Sequence, residues 1–267
     1  MSDLRRTQAL KQTVARLLFR RRIAALEGDA AAAPIAHAMR AALEAKSDVD
    51  FERWSDRIEA KRRELARIDD RVTMRDFGAG GSDEGVDREV RLGEFYSEAN
   101  VDPLSSAFLF HLVRELKPAS CIELGTCTGL SAAYQGAALE VNGSGRLVTI
   151  EGDAELARRA RVTLRDLEIE RVTVVSGRFE DMLPGVLREH APVDFVFNDG
   201  HHEEEATIRY FDTMGPHLAP GAVVVLDDVN WSGGMRRAFQ RLSARSDVTA
   251  AVDLLRMGVL RIVSNEL

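Results

Sequence analysis

Cys121-Ile122-Glu123-Leu124-Gly125-Thr126-Cys127-Thr128-Gly129 is the stretch on which the fold turns. The apolar run Ser120–Leu124 reads as a buried strand, and Leu130 onward reads as a helix. Between them lie two glycines and small polar residues. A strand, a glycine turn and a helix form the opening unit of an open α/β sheet, and such sheets bind ligands where strands end. Gly125 lets the chain turn tightly and lets a ligand approach the backbone. The spacing is Glu-x-Gly-x-x-x-Gly, not the Gly-x-Gly-x-x-Gly of dinucleotide-binding proteins, which argues against a nicotinamide-dependent oxidoreductase.

Working outward, short apolar runs recur at Arg146–Ile150, Val172–Val175, Val193–Phe197 and Ala222–Leu226, each followed by a helical stretch. Continuous apolar strands separated by helices indicate a parallel sheet covered on both faces. The expected fold is therefore a doubly wound, Rossmann-like α/β sheet. The last two strands, near Val248–Leu254 and Val259–Val263, are joined by Arg256-Met257-Gly258, which is short enough only for an antiparallel pair. Asp102-Pro103 opens the helix before the first strand, with Asp as N-cap and Pro in the first turn.

Upstream the pattern changes. Residues 1–71 read as a helical segment of Ala, Leu, Arg and Glu. A first helix ends at Gly28–Pro34, a second spans about Ile35 to Lys46, and a third starts near Asp48 or Asp50. The third carries Phe51, Trp54, Ile58, Leu65 and Ile68 on one face. These stripes must be buried on the main domain or on a second copy of the chain, so a packing appendage, a substrate-covering cap and a homodimer contact all stay open. Residues 72–101, with Gly78, Gly80, Gly81 and Gly85, read as a glycine-rich lid loop. Residues 102–267 form the ligand-binding domain.

Of the 267 residues, 45% are hydrophobic and 30% charged, which suits a globular chain with a real core. The net charge of −7 argues against a nucleic-acid binder. No run approaches the ~18 apolar residues of a membrane span. Two cysteines, Cys121 and Cys127, make no disulfide framework, so a reducing, cytoplasmic location is expected. The first 22 residues hold seven basic residues and one acid, read as a basic surface helix in preference to a transit peptide.

The second strand ends at Glu151, 26 residues after Gly125. A carboxylate there can accept both hydroxyls of a ribose, at close to the usual offset of ~20 residues. With these residues in place, residues 102–264 resemble the class I S-adenosylmethionine-dependent methyltransferases. The resemblance implies a seven-stranded sheet with an antiparallel last strand. It also implies that Glu123, Gly125, Thr126, Gly129 and Ser131 form the cofactor turn. Glu151 would hold the ribose, and Gly177, Arg178 and Phe179 would lie beside the adenine.

The fourth strand ends in Asn198-Asp199-Gly200-His201-His202, and the fifth in Asp227-Asp228. Adjacent parallel strands end side by side, so Asp199, Asp227 and Asp228 should crowd one cleft. Like charges repel unless a proton or a cation intervenes. A hard cation with oxygen ligands, Mg²⁺, is the expected partner. The pattern is similar to metal-dependent O-methyltransferases: distantly the catechol type, and more closely the bacterial macrolide-sugar and cephalosporin-pathway enzymes. Those carry Asp-Gly-x-His after the fourth strand and paired acids after the fifth.

The resemblance implies methylation of a small-molecule hydroxyl, a sugar or phenol of a natural product. Asp199 would contact both cofactor and metal, and His202 would be the base. His201 is the competing base. Glu203-Glu204-Glu205 stands where the bacterial pattern usually has a Tyr, which leaves the acceptor open. Phe77 with Gly78–Gly81 is expected to close over the cofactor, and Trp231 with the N-terminal helices to wall the acceptor. Two rivals are metal-independent methylation of a carboxylate and a non-catalytic cofactor-binding subunit.

Overall fold

A computed structural model of the chain describes residue 23 and residues 26–44, 48–77, 85–98 and 101–263. The Gly78–Gly81 segment, most of the first expected helix and the seven basic residues of the first 22 lie outside the described residues. Two helices come first, α1 (Ala33–Leu43) and α2 (Val49–Leu65). A hairpin follows, β1 (Arg71–Asp76) and β2 (Val86–Arg91), then the short α3 (Leu92–Glu98) and α4 (Pro103–Leu116). The alternation then runs β3 (Ser120–Leu124), α5 (Leu130–Asn142), β4 (Arg146–Glu151), α6 (Ala154–Asp166), β5 (Val172–Ser176), α7 (Phe179–His190), β6 (Val193–Asn198), α8 (Glu204–Met214) and β7 (Leu218–Leu226). It closes with α9 (Gly233–Ser243), β8 (Val248–Leu254) and β9 (Met257–Ile262).

The seven-stranded sheet has the order β5-β4-β3-β6-β7-β9-β8. Strands β3 to β7 are parallel, and β9 runs antiparallel to both β7 and β8. The order reverses between β3 and β6, and that switch point is where an open sheet leaves a crevice. Burial explains why the strands read as apolar runs. Cys121, Phe195, Phe197, Val223 and Val225 face a core built with α1, α2, α4, α5 and α6. Ile122, Leu124, Val196, Val224 and Leu226 face a second core with α7, α8 and α9. Alternate residues of one strand therefore enter opposite cores, and both faces are dry.

The described N-terminal helices bury their stripe on their own chain. Phe51 of α2 meets Phe110 of α4 edge-on at 5.2 Å and stacks near Tyr134 of α5 at 6.3 Å. Asp48 caps α2 by accepting from Phe51 N (3.1 Å) and pairs with Arg114 (2.6 Å). These contacts pack α2 on the main domain. The loop expected over 72–101 is corrected more substantially, because β1 and β2 pair antiparallel from Arg71↔Arg91 to Asp76↔Val86. Met74 is the one buried side chain of these two strands, so no two-residue apolar alternation marked them.

Candidate active site

The ends of β3, β4, β6 and β7 are laced together by main-chain hydrogen bonds. Gly125 N donates to Ile150 O (3.0 Å), Asp199 N to Leu124 O (2.9 Å) and Asp227 N to Asn198 O (2.9 Å). Gly125 has φ +96°, and a Cβ there would lie 2.5 Å from the carbonyl oxygen of Asp199. Only glycine lets the β3 and β6 turns approach this closely. Gly129, at φ +82°, begins α5 against Ala160. A cavity of about 290 Å³ opens above these ends.

Its cofactor half gathers Gly125, Cys127, Glu151, Arg178 and Phe179. Glu151 accepts from Cys127 N (2.7 Å) and Asp153 N (2.9 Å), and burial raises its carboxyl above the usual range. Gly177 makes the turn that delivers Arg178 and Phe179, and the Phe179 ring lies against Gly200. Phe77 lies against Gly152, and Arg75 N donates to Asp153 (2.8 Å), fastening the hairpin to the cavity rim. Among the described residues no side chain of α1 or α2 lines the cavity; Met74 of β1, Phe77 just after it and Phe95 of α3 supply that wall.

Three of the expected cofactor residues place their side chains beneath the turn. Glu123 is fully buried beneath the turn, accepting from Thr149 (2.5 Å) and Gln135 (2.7 Å), with burial pushing it up to about 8. The Thr126 hydroxyl meets the Thr149 hydroxyl (2.6 Å), and Ser131 lies buried beside them. These side chains brace the glycine turn from below and do not line the cavity.

The acceptor half holds the acids. Asp199 is pushed up to about 7 by burial and by Asp227, against the opposing pull of His202 and Arg256. His202 Nε2 lies 3.3 Å from Asp199 Oδ1 and 3.7 Å from Asp228 Oδ2. Burial alone would lower this imidazole, but Asp199 and then Asp228 outweigh it and raise it. His201 points elsewhere: its Nδ1 shares a 2.5 Å hydrogen bond with the Tyr210 hydroxyl, which donates to Glu180 (2.6 Å). Its ring packs on Phe179 and Tyr210. The two histidines thus separate, His201 toward the Phe179 wall and His202 into the acid cluster. Trp231 is 61% exposed, 6.0 Å from the His202 ring, so it borders the acceptor side instead of filling a core.

The expected Mg²⁺ ligands do not fit that ion as they are arranged. Asp227 is fully buried and gives both carboxylate oxygens to Arg256, with Nε at 3.0 and 3.2 Å and Nη2 at 2.7 Å. Arg256 Nε also lies 3.4 Å from Asp228 Oδ1. A guanidinium therefore stands where the three acids were expected to share a metal. Among the described residues no group of three or more His, Cys, Asp or Glu is arranged to hold a metal ion. Sequence reasoning missed Arg256, reading it only as part of a turn. The available signal was a tight turn at Leu255-Arg256 lacking Gly or Asn, and Leu255 indeed adopts φ +72°.

Residues 122–229 match a family model described as a methyltransferase domain. Over those residues the chain is similar to methyltransferase domains. A solved O-methyltransferase from Streptomyces achromogenes, involved in tomaymycin synthesis and complexed with S-adenosylmethionine, superposes on this domain with a TM-score of 0.55. It is 29% identical and covers 63% of this chain and 83% of its own. A human transmembrane O-methyltransferase is 29% identical over 144 residues, 52% of this chain and 48% of its own. Demethylmacrocin O-methyltransferase from Streptomyces fradiae is 36% identical over 66 residues, 23% of this chain and 16% of its own. The chain thus spans about half the length of the human relative it matches. No helix among the described residues is long and apolar enough to cross a membrane.

Proposed function

We propose that the chain is an S-adenosylmethionine-dependent O-methyltransferase acting on a hydroxyl of a small molecule. The observation that carries this reading is the Asp199–His202 pair, 3.3 Å apart, in the same cavity as the glycine turn and Glu151. Relatives named for demethylmacrocin methylation and for tomaymycin synthesis support a small-molecule acceptor, which we read as a sugar or phenol.

S-adenosylmethionine, when bound, supplies an electrophilic methyl group on a sulfonium. Gly125 would leave the backbone open to the cofactor, Glu151 would hold its ribose, and Phe179 would offer an aromatic wall to its base. His202 takes the acceptor proton, and Asp199, 3.3 Å from its Nε2, stabilises the imidazolium that forms. The acceptor oxygen then attacks the methyl carbon, and the C–S bond breaks with its electron pair leaving on sulfur. The remaining contribution of the chain is alignment and exclusion of water. No metal step enters, because Asp227 is committed to Arg256.

A second reading, methylation of a carboxylate, is favoured by one observation: Arg256 lines the cavity and would attract an acid. Its weakness is the neighbouring Asp199 and Asp228, which would repel that acceptor. Release of S-adenosylhomocysteine across phenols, sugars and carboxylic acids tests both. Turnover on hydroxyls supports the first reading. Turnover confined to acids replaces it with the second, and a failure of every acceptor in protein that does not bind S-adenosylhomocysteine refutes both.

A further inference from the structure

We propose that Arg256 is the resident cation of the acceptor side, taking the place of a divalent metal in the acid cluster. The inference begins with Asp227. A carboxylate with no exposed surface requires a charged partner, since an unpaired buried charge is severely destabilising. Arg256 provides it in the two-oxygen geometry that suits a planar guanidinium best. The same side chain reaches Asp228 (3.4 Å) and comes within 3.6 Å of Asp102 at the start of α4. One guanidinium therefore stands among three acids contributed by the segment after β7 and the α4 cap.

The backbone holds it there. Arg256 N donates to Leu254 O (3.0 Å), and Arg256 O accepts from Val229 N (2.9 Å). Asn230 Nδ2 donates to Leu255 O (2.5 Å), tying the β8–β9 turn to the loop after β7. A divalent ion using Asp227 would have to strip these guanidinium bonds and then sit beside a like charge that this turn keeps in place. Arg256 is itself 35% exposed and lines the cavity beside His202. Its charge is placed to stabilise the oxyanion left when His202 removes the acceptor proton.

The consequence for turnover rests on the O-methyltransferase reading, but metal binding can be measured without any acceptor. The experiment titrates Mn²⁺ into the full chain and follows the electron paramagnetic resonance signal of free Mn²⁺, with S-adenosylhomocysteine binding as the check on folding. Wild type is expected to leave the Mn²⁺ signal at its buffer value, and its turnover to change less than ~2-fold with EDTA. Arg256→Met frees Asp227 and Asp228, and is expected either to gain Mn²⁺ binding or to lose at least ~10-fold in turnover while still binding S-adenosylhomocysteine.

If Arg256→Met does not fold, Arg256→Lys keeps the charge without the fork and is expected to lose turnover with unchanged S-adenosylhomocysteine affinity. Stoichiometric Mn²⁺ binding by wild type that disappears in Asp227→Asn would overturn the proposal. So would turnover abolished by EDTA and restored by Mg²⁺. Failure of the O-methyltransferase reading is distinguishable, because it appears as absent S-adenosylhomocysteine binding whatever Mn²⁺ does.

Discussion

At the scale of single residues, the account depends on a few side chains whose neighbours leave little choice. His202 among Asp199 and Asp228 is assigned the proton transfer, so His202→Gln should lower turnover by ~10²–10⁴-fold. Its affinity for S-adenosylhomocysteine should stay within ~2-fold of wild type by calorimetry, since His202 lies on the acceptor side. Gly125→Ala tests the opposite half. Its Cβ would meet the Asp199 carbonyl at 2.5 Å on a residue held at φ +96°, so cofactor binding should be lost even where the variant folds. Much at this scale was legible. Gly125, Glu151, Arg178, Phe179, Asp199 and His202 all reach one cavity because strand ends converge. The burial of Glu123 was not legible, because a motif position does not say which side of the turn a carboxylate faces. Arg256 was missed because its partner Asp227 is 29 positions away, a pairing no local pattern encodes.

At the scale of elements, α2 is anchored by its cap. Asp48→Ala removes the acceptor for Phe51 N and the partner of Arg114, and should cost ~1–2 kcal/mol in chemical denaturation. On the facing helix α4, His111 is 5% exposed, and burial lowers its imidazole to about 4, with Asp48 opposing and Arg114 assisting. The folded state then binds fewer protons than the unfolded state between pH ~4 and ~6.5, so stability rises with pH across that window. Acidification from pH ~6.5 to ~4 should remove ~3 kcal/mol through this group, and His111→Leu should flatten that part of the profile. The helices and parallel strands were readable because burial imposes periodicity on them. The β1–β2 hairpin was not, because Met74 alone is buried and the pairing is carried by main-chain bonds between polar residues.

At the scale of the whole molecule, a two-faced sheet places its switch point between β3 and β6, and the cavity follows from that topology. The described N-terminal helices thicken one layer of the sandwich by covering α4 and α5, and the hairpin reaches over the cavity to Gly152 and Asp153. The layers and the parallel run of strands were legible from the alternation of apolar runs and helices, and the strand order from the family resemblance; the position of the hairpin was not, because it depends on Phe77 and Arg75 meeting residues far along the chain. The most direct measurement needs no knowledge of the acceptor: calorimetric titration of S-adenosylhomocysteine into wild type and Glu151→Ala. The account predicts saturable one-site binding by wild type, weakened ~10-fold or more in Glu151→Ala through loss of charged hydrogen bonds to the ribose. Absence of binding by wild type, or equal affinity in the two proteins, would contradict it.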